Sequence, residues 1–169
     1  MYTFLIVLML LLPIPLYLGF KALFASKHDR RNALALKVAL DRVIRRNRLL
    51  ISEIDTFKNK AIALDRRNNK LILVEHRNNV TWEKCLSLGE LGSFTIIKEM
   101  DQLTGCTQKV VIELNFNSNE ELVYFTFYDE SNDNIHELPS LVRKATDWKD
   151  KIYQHLNSLT PGHRLEYVS

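Results

Sequence analysis

The chain has only two cysteines among 169 residues, Cys85 and Cys106. Two thiols do not make a disulfide framework, and although they are enough for one bridge, the expectation is two reduced, buried thiols. None of the five histidines, His28, His76, His136, His155 and His163, stands at a metal-ligand spacing from either cysteine. His76 and Cys85 fall on neighbouring predicted strands, yet a catalytic Cys-His pair also needs an orienting group and a cleft, and the pattern supplies neither. The segment Leu88-Gly89-Glu90-Leu91-Gly92 has two glycines but lacks a phosphate-loop lysine and a following helix pattern, so it reads as a turn. The acidic stretch with Asp129, Glu130, Asp133 and Glu137 lacks the Asp-x-Asp-x-Asp-Gly order and the closing glutamate of a calcium loop. No basic patch is interleaved with aromatics, as a single-strand nucleic-acid binder requires. The sequence therefore points to a protein that is not an enzyme, with no cofactor, no metal and no nucleic-acid partner.

One further absence carries information of a different kind. From Tyr2 to Phe20 there is no charged side chain, and the basic residues Lys21 and Lys27 follow directly. Those nineteen residues, at about 1.5 Å of rise each, match one crossing of a ~30 Å hydrocarbon core. A cleaved signal peptide is the rival, but it calls for a basic residue before the apolar run and a small-x-small cleavage site. Neither is present: the nearest cut, after Ala25, has Leu23 two residues earlier. Pro13 and Pro15 each remove a helical hydrogen bond, which membrane helices tolerate when the freed groups find partners. The expectation is an uncleaved anchor over residues 1–24. Lys21, Lys27, Arg30, Arg31 and Lys37 all follow the run and no basic side chain precedes it, so the C-terminal domain is expected in the cytoplasm. Asn79-Val80-Thr81 matches a glycosylation sequon, a three-residue pattern that chance also produces.

Beyond the anchor, charge divides unevenly. Residues 21–84 hold sixteen Lys or Arg against seven Asp or Glu, a net of +9, whereas residues 85–169 hold seven against thirteen, a net of −6. The basic half is the one tied to the apolar run. A juxtamembrane helix is expected over 25–48, with Ser26 as cap and Leu36, Leu40, Val43 and Ile44 on one stripe. Its arginines, Arg42, Arg45, Arg46 and Arg48, gather at the C-terminal end, where cations suit the helix dipole. Such a helix can lie on anionic lipid, pair with a partner helix or pack on its own domain. After Arg48 the period shortens to two, giving candidate strands at 49–57, 60–65, 70–76, 81–87, 93–99, 108–116 and 121–128. In the sixth, Val110, Ile112, Leu114 and Phe116 alternate with Val111, Glu113 and Asn115. In the seventh, Val123, Phe125 and Phe127 oppose Leu122, Tyr124, Thr126 and Tyr128. A last helix follows Pro139, with Leu141, Ala145, Trp148, Ile152, Leu156 and Leu159 on one face, and Pro161-Gly162 stops it.

Seven short antiparallel strands followed by one amphipathic helix is similar to the pleckstrin-homology-like (PH-like) superfold, and Trp148 matches the position type of that family's helix tryptophan. A lipocalin-like or other small barrel with an added helix is the alternative. The resemblance implies an α+β domain over 49–160, in which two nearly orthogonal sheets, together a seven-stranded antiparallel curved sheet or barrel, are closed at one corner by a C-terminal helix, with a short tail at 161–169. It also implies a binding or scaffolding module that contacts lipid headgroups or peptides. Family members that bind phosphoinositides use a long basic loop between the first two strands, whereas here that turn is Lys58-Asn59 alone. Headgroup-binding residues are therefore not carried over. Candidate contacts to anionic lipid are instead Arg42, Arg45 and Arg46 on the helix and Arg66 and Arg67 in the second turn. Three functions follow: a membrane-anchored scaffold for a protein partner, a peripheral sensor of anionic lipid, or, were the apolar run cleaved, a secreted or periplasmic β-domain. A small hydrolase or transferase with an unrecognised site is the contrasting class.

Overall fold

A computed structural model describes residues 31–77, 80–117 and 121–159. The expected anchor, the start of the juxtamembrane helix, the sequon asparagine Asn79 and the tail lie outside the described residues. Among the described residues no helix is long and apolar enough to cross a membrane. The chain divides into two compact units, Met1–Cys85 and Leu86–Ser169.

The first described element of the first unit is α1, helical over 31–47. It ends because Arg48 adopts φ 52°: Leu49 N–H donates to the Ile44 carbonyl at 3.0 Å and Arg48 N–H to the Arg45 carbonyl at 3.3 Å. This is the six-to-one and five-to-two bonding that closes a helix through a left-handed residue. Four strands follow, β1 (Glu53–Phe57), β2 (Lys60–Asp65), β3 (Lys70–Arg77) and β4 (Val80–Ser87), in the order β1-β2-β3-β4. The expected first strand begins four residues early. Residues 49–52 are not in the strand: Leu49 N–H closes α1 on the Ile44 carbonyl and Leu50 N–H donates to the Asp65 carboxylate, and only at Ser52 does an N–H reach β2, at the Leu64 carbonyl.

Register decides which side chains meet the helix. Ala61 pairs with Val74 and Ala63 with Ile72, and this face packs with Leu36, Ala39, Leu40, Val43 and Leu49 in one buried cluster. The alanines matter because their small side chains let α1 lie close to the sheet. Burying Leu36, Leu40 and Val43 contributes about 1.5–3 kcal/mol each. Ile62, Leu64, Leu71 and Leu73 point to the opposite face and are buried as well, which is why β2 and β3 read as near-continuous apolar runs.

The second unit contains a 3-10 turn at Leu88–Glu90, then β5 (Leu91–Met100), β6 (Thr107–Phe116) and β7 (Glu121–Asp129) in a three-stranded sheet, and finally α2 (Leu138–Leu159). The molecule is thus α+β with two antiparallel sheets and a C-terminal helix. Among the described residues the seven strands fall into two sheets, as the resemblance implied, and not into one curved sheet or a closed barrel.

The alternation expected for β7 fails at its end. Val110 pairs with Tyr128 and Val111 with Thr126, so Phe127 is an extra residue without a partner in the ladder, a bulge that reverses the side-chain order. Val123, Phe125 and Phe127 are buried as expected, and so are Tyr128 and Val111, which strict alternation places outside. The α2 helix packs on this sheet through Leu141, Ala145, Trp148 and Ile152. Tyr153 and His155 are buried as well, whereas Leu159 is exposed. The Tyr153 hydroxyl donates to the Phe94 carbonyl at 3.1 Å, and the two rings meet edge to face. Ahead of α2 the acidic stretch is an internally bonded turn: Asn134 accepts from His136 N–H while Glu137 reaches back to Asn134 N–H.

Candidate functional site

The basic residues of α1 and of the β2–β3 turn are remote in sequence, and Asp65 joins them. Asp65 is fully buried. Its carboxylate accepts from Leu50 N–H at 2.7 Å, from Asn68 N–H at 2.9 Å and from the Asn68 side-chain amide at 2.7 Å. Arg66 N–H in turn donates to the Ser52 hydroxyl. The residues immediately after Arg48 are therefore stitched to the residues immediately before Arg67. Burial raises the Asp65 pKa, but the hydrogen bonds from Asn68, Leu50 and Arg67 outweigh it, and the carboxyl sits below its ordinary value.

Arg42, Arg45, Arg46, Arg66 and Arg67 are all exposed. Arg46 bonds Glu83 at 3.1 Å, and Arg66 holds Glu53 through Nε at 3.0 Å and through Nη2. Exposed ion pairs of this kind contribute little stability; their effect is to fix where the two guanidinium groups point. The hydrogen bonds bring the C-terminal end of α1 and the Arg66-Arg67 turn to one end of the unit. Arg42 lies about 9 Å further back along the helix, six residues before Arg48.

The other candidates disperse. His76 Nδ1 lies 2.8 Å from the Thr81 hydroxyl, and Cys85 is four residues further along β4, roughly 13 Å at strand rise. The Cys85 thiol packs against the helix–sheet core. Burial raises its pKa, with Lys70 and Arg46 pulling the other way, so it is a poor nucleophile. Both cysteines are free thiols, but Cys106 is exposed and Cys85 only half-buried, so the expected buried pair is not found. Among the described residues no group of three His, Cys, Asp or Glu side chains is placed to hold a metal ion. In the β5–β6 loop Asp101 is satisfied locally, accepting from Leu103 and Thr104 N–H groups at 2.8 Å each and from the Gln108 amide at 3.0 Å. These bonds, the Thr104 backbone first, lower its pKa.

Two features escaped the sequence reading. Asp65 was one acidic residue at a strand end, with nothing to mark it as the tie between helix and hairpin. Leu34 and Val38 lie on α1 away from its buried stripe, 63 % and 50 % exposed; their four-residue spacing was the available signal. No family model, no curated protein and no solved structure matches this chain.

Proposed function

We propose that this protein is a single-pass, membrane-anchored binding module without catalytic chemistry, which presents a PH-like α+β domain at the cytoplasmic face of the bilayer and engages a protein partner there. The observation that carries the reading is the uncharged run Tyr2–Phe20 followed at once by a strongly basic segment. The run is long enough for one crossing, and the cations behind it suit the cytoplasmic side. Element order supports the PH-like part: two antiparallel sheets followed by an amphipathic helix with a buried tryptophan, Trp148.

The test is to delete residues 1–24 and fractionate cells, with an alkaline carbonate wash of the full-length chain in parallel. The full-length chain should resist the wash and the truncated chain should be soluble. A truncated chain that still pellets after the wash would show that the run is not the anchor. A crosslinking pull-down of the full-length protein from membranes tests for the partner. The alternative, a peripheral sensor of anionic lipid, is favoured by the exposed arginines at one end of the first unit; it requires the truncated chain to bind anionic vesicles and to lose them with salt.

A further inference from the structure

The α1 helix has a second apolar stripe that its own domain does not use. Its inner stripe, Leu36, Ala39, Leu40 and Val43, is buried on the sheet. On the opposite side Leu34 and Val38 are 63 % and 50 % exposed. The helical repeat places Arg31, Arg42 and Arg45, all exposed, on that same outer side together with Asp41, the only carboxylate in 31–47, so the face keeps a net charge of +2. Exposed apolar residues with an excess of cations around them are what an interfacial helix presents to a bilayer.

We propose that the outer face of α1 lies on anionic phospholipid, with Leu34 and Val38 entering the headgroup boundary and Arg31, Arg42 and Arg45 meeting lipid phosphates. The inference rests on the anchoring read above and deepens it. Charge complementarity selects an anionic surface. Chain length makes contact attainable, because only ten residues, 21–30, lie in sequence between the apolar run and Arg31, and ten residues span at most about 35 Å. The helix is thus held at high effective concentration at the bilayer, and a weak interfacial affinity suffices. Arg46 and Arg66, already engaged with Glu83 and Glu53, are not part of this face.

The test uses the full-length chain in lipid nanodiscs, with Leu34→Cys carrying a polarity-sensitive fluorophore in a Cys85→Ala, Cys106→Ser background. Co-elution with the discs reports the anchor; the probe reports α1. In discs containing phosphatidylserine the probe should be dimmed by a headgroup-borne lipid quencher and protected from aqueous iodide, and in pure phosphatidylcholine it should be open to iodide. Changing Arg31, Arg42 and Arg45 to Gln one at a time should lower the ratio of docked to undocked probe roughly fivefold per residue. Val38→Cys provides an independent label position. Equal iodide quenching in both lipids overturns the proposal. So does equal protection in both, which assigns the cover to residues 1–30 or to a second copy. A chain that fails to enter the discs refutes the anchor itself, and this inference with it.

Discussion

At the residue scale, Asp65 does more than its place in the sequence suggests. Replacing it with Ala leaves the Leu50 and Asn68 N–H groups without their acceptor, and unfolding should become easier by about 2–3 kcal/mol at neutral pH. Because the folded-state pKa lies below the ordinary 3.8, the ionised group stabilises the fold above that value. Its contribution is lost as pH falls from 3.8 through the folded pKa. Denaturant titrations at pH 7 and at pH 3 should show the Asp65→Ala deficit shrinking towards the lower pH, and a deficit independent of pH would refute the assignment. Arg48 gives the opposite sign. Its left-handed backbone suits glycine better than arginine, so Arg48→Gly should stabilise by about 0.5–1 kcal/mol and raise the melting temperature. Cysteine chemistry is checked by thiol titration: exposed Cys106 reacts at once in the native protein, whereas Cys85 reacts fully only in denaturant.

At the element scale, the helix on the first sheet depends on small residues. Ala61 and Ala63 are fully buried beneath α1, and Ala61→Leu should destabilise by about 1–3 kcal/mol through overpacking. Trp148 anchors α2 and is fully buried, with the Lys151 ammonium 4.9 Å from its ring centroid; Trp148→Ala should cost about 3–5 kcal/mol in denaturant unfolding. Most of these elements were legible from period alone. Strands β2 and β3 start where expected, and both turns, Lys58-Asn59 and 66–69, stand where Gly-poor polar residues marked them. What failed did so for local reasons. Residues 49–52 look like strand, but Leu49 gives its N–H to the Ile44 carbonyl that closes α1 and Leu50 gives its own to the Asp65 carboxylate. Tyr128 reads as surface until the Phe127 bulge turns it inward. His155 is polar, and no hydrophobic count selects it, yet it sits on the buried side of α2.

At the scale of the whole molecule, the change of charge falls where the chain divides. The +9 segment ends at residue 84 and the first compact unit ends at Cys85, so cationic character belongs to one folding unit and acidic character to the other. If lipid attraction is carried by that unit, residual vesicle binding of a chain lacking residues 1–24 should fall steeply between 0.1 M and 1 M salt, where the Debye length drops from about 10 Å to about 3 Å. Binding indifferent to salt would assign the attraction to apolar contact instead. The sequence alone determined the uncharged run, the charge division, the order of seven strands and a final helix, and the want of a metal or nucleotide motif. All of these depend on residue type and short spacing, which survive without a fold. Tertiary structure alone decided which strands fall in which of the two sheets, that Asp65 ties α1 to a hairpin, and that the obvious stripe of α1 is consumed by its own sheet. Those outcomes depend on which distant residues share a hydrogen bond or a face, and such sharing is set by packing rather than by neighbours in the chain.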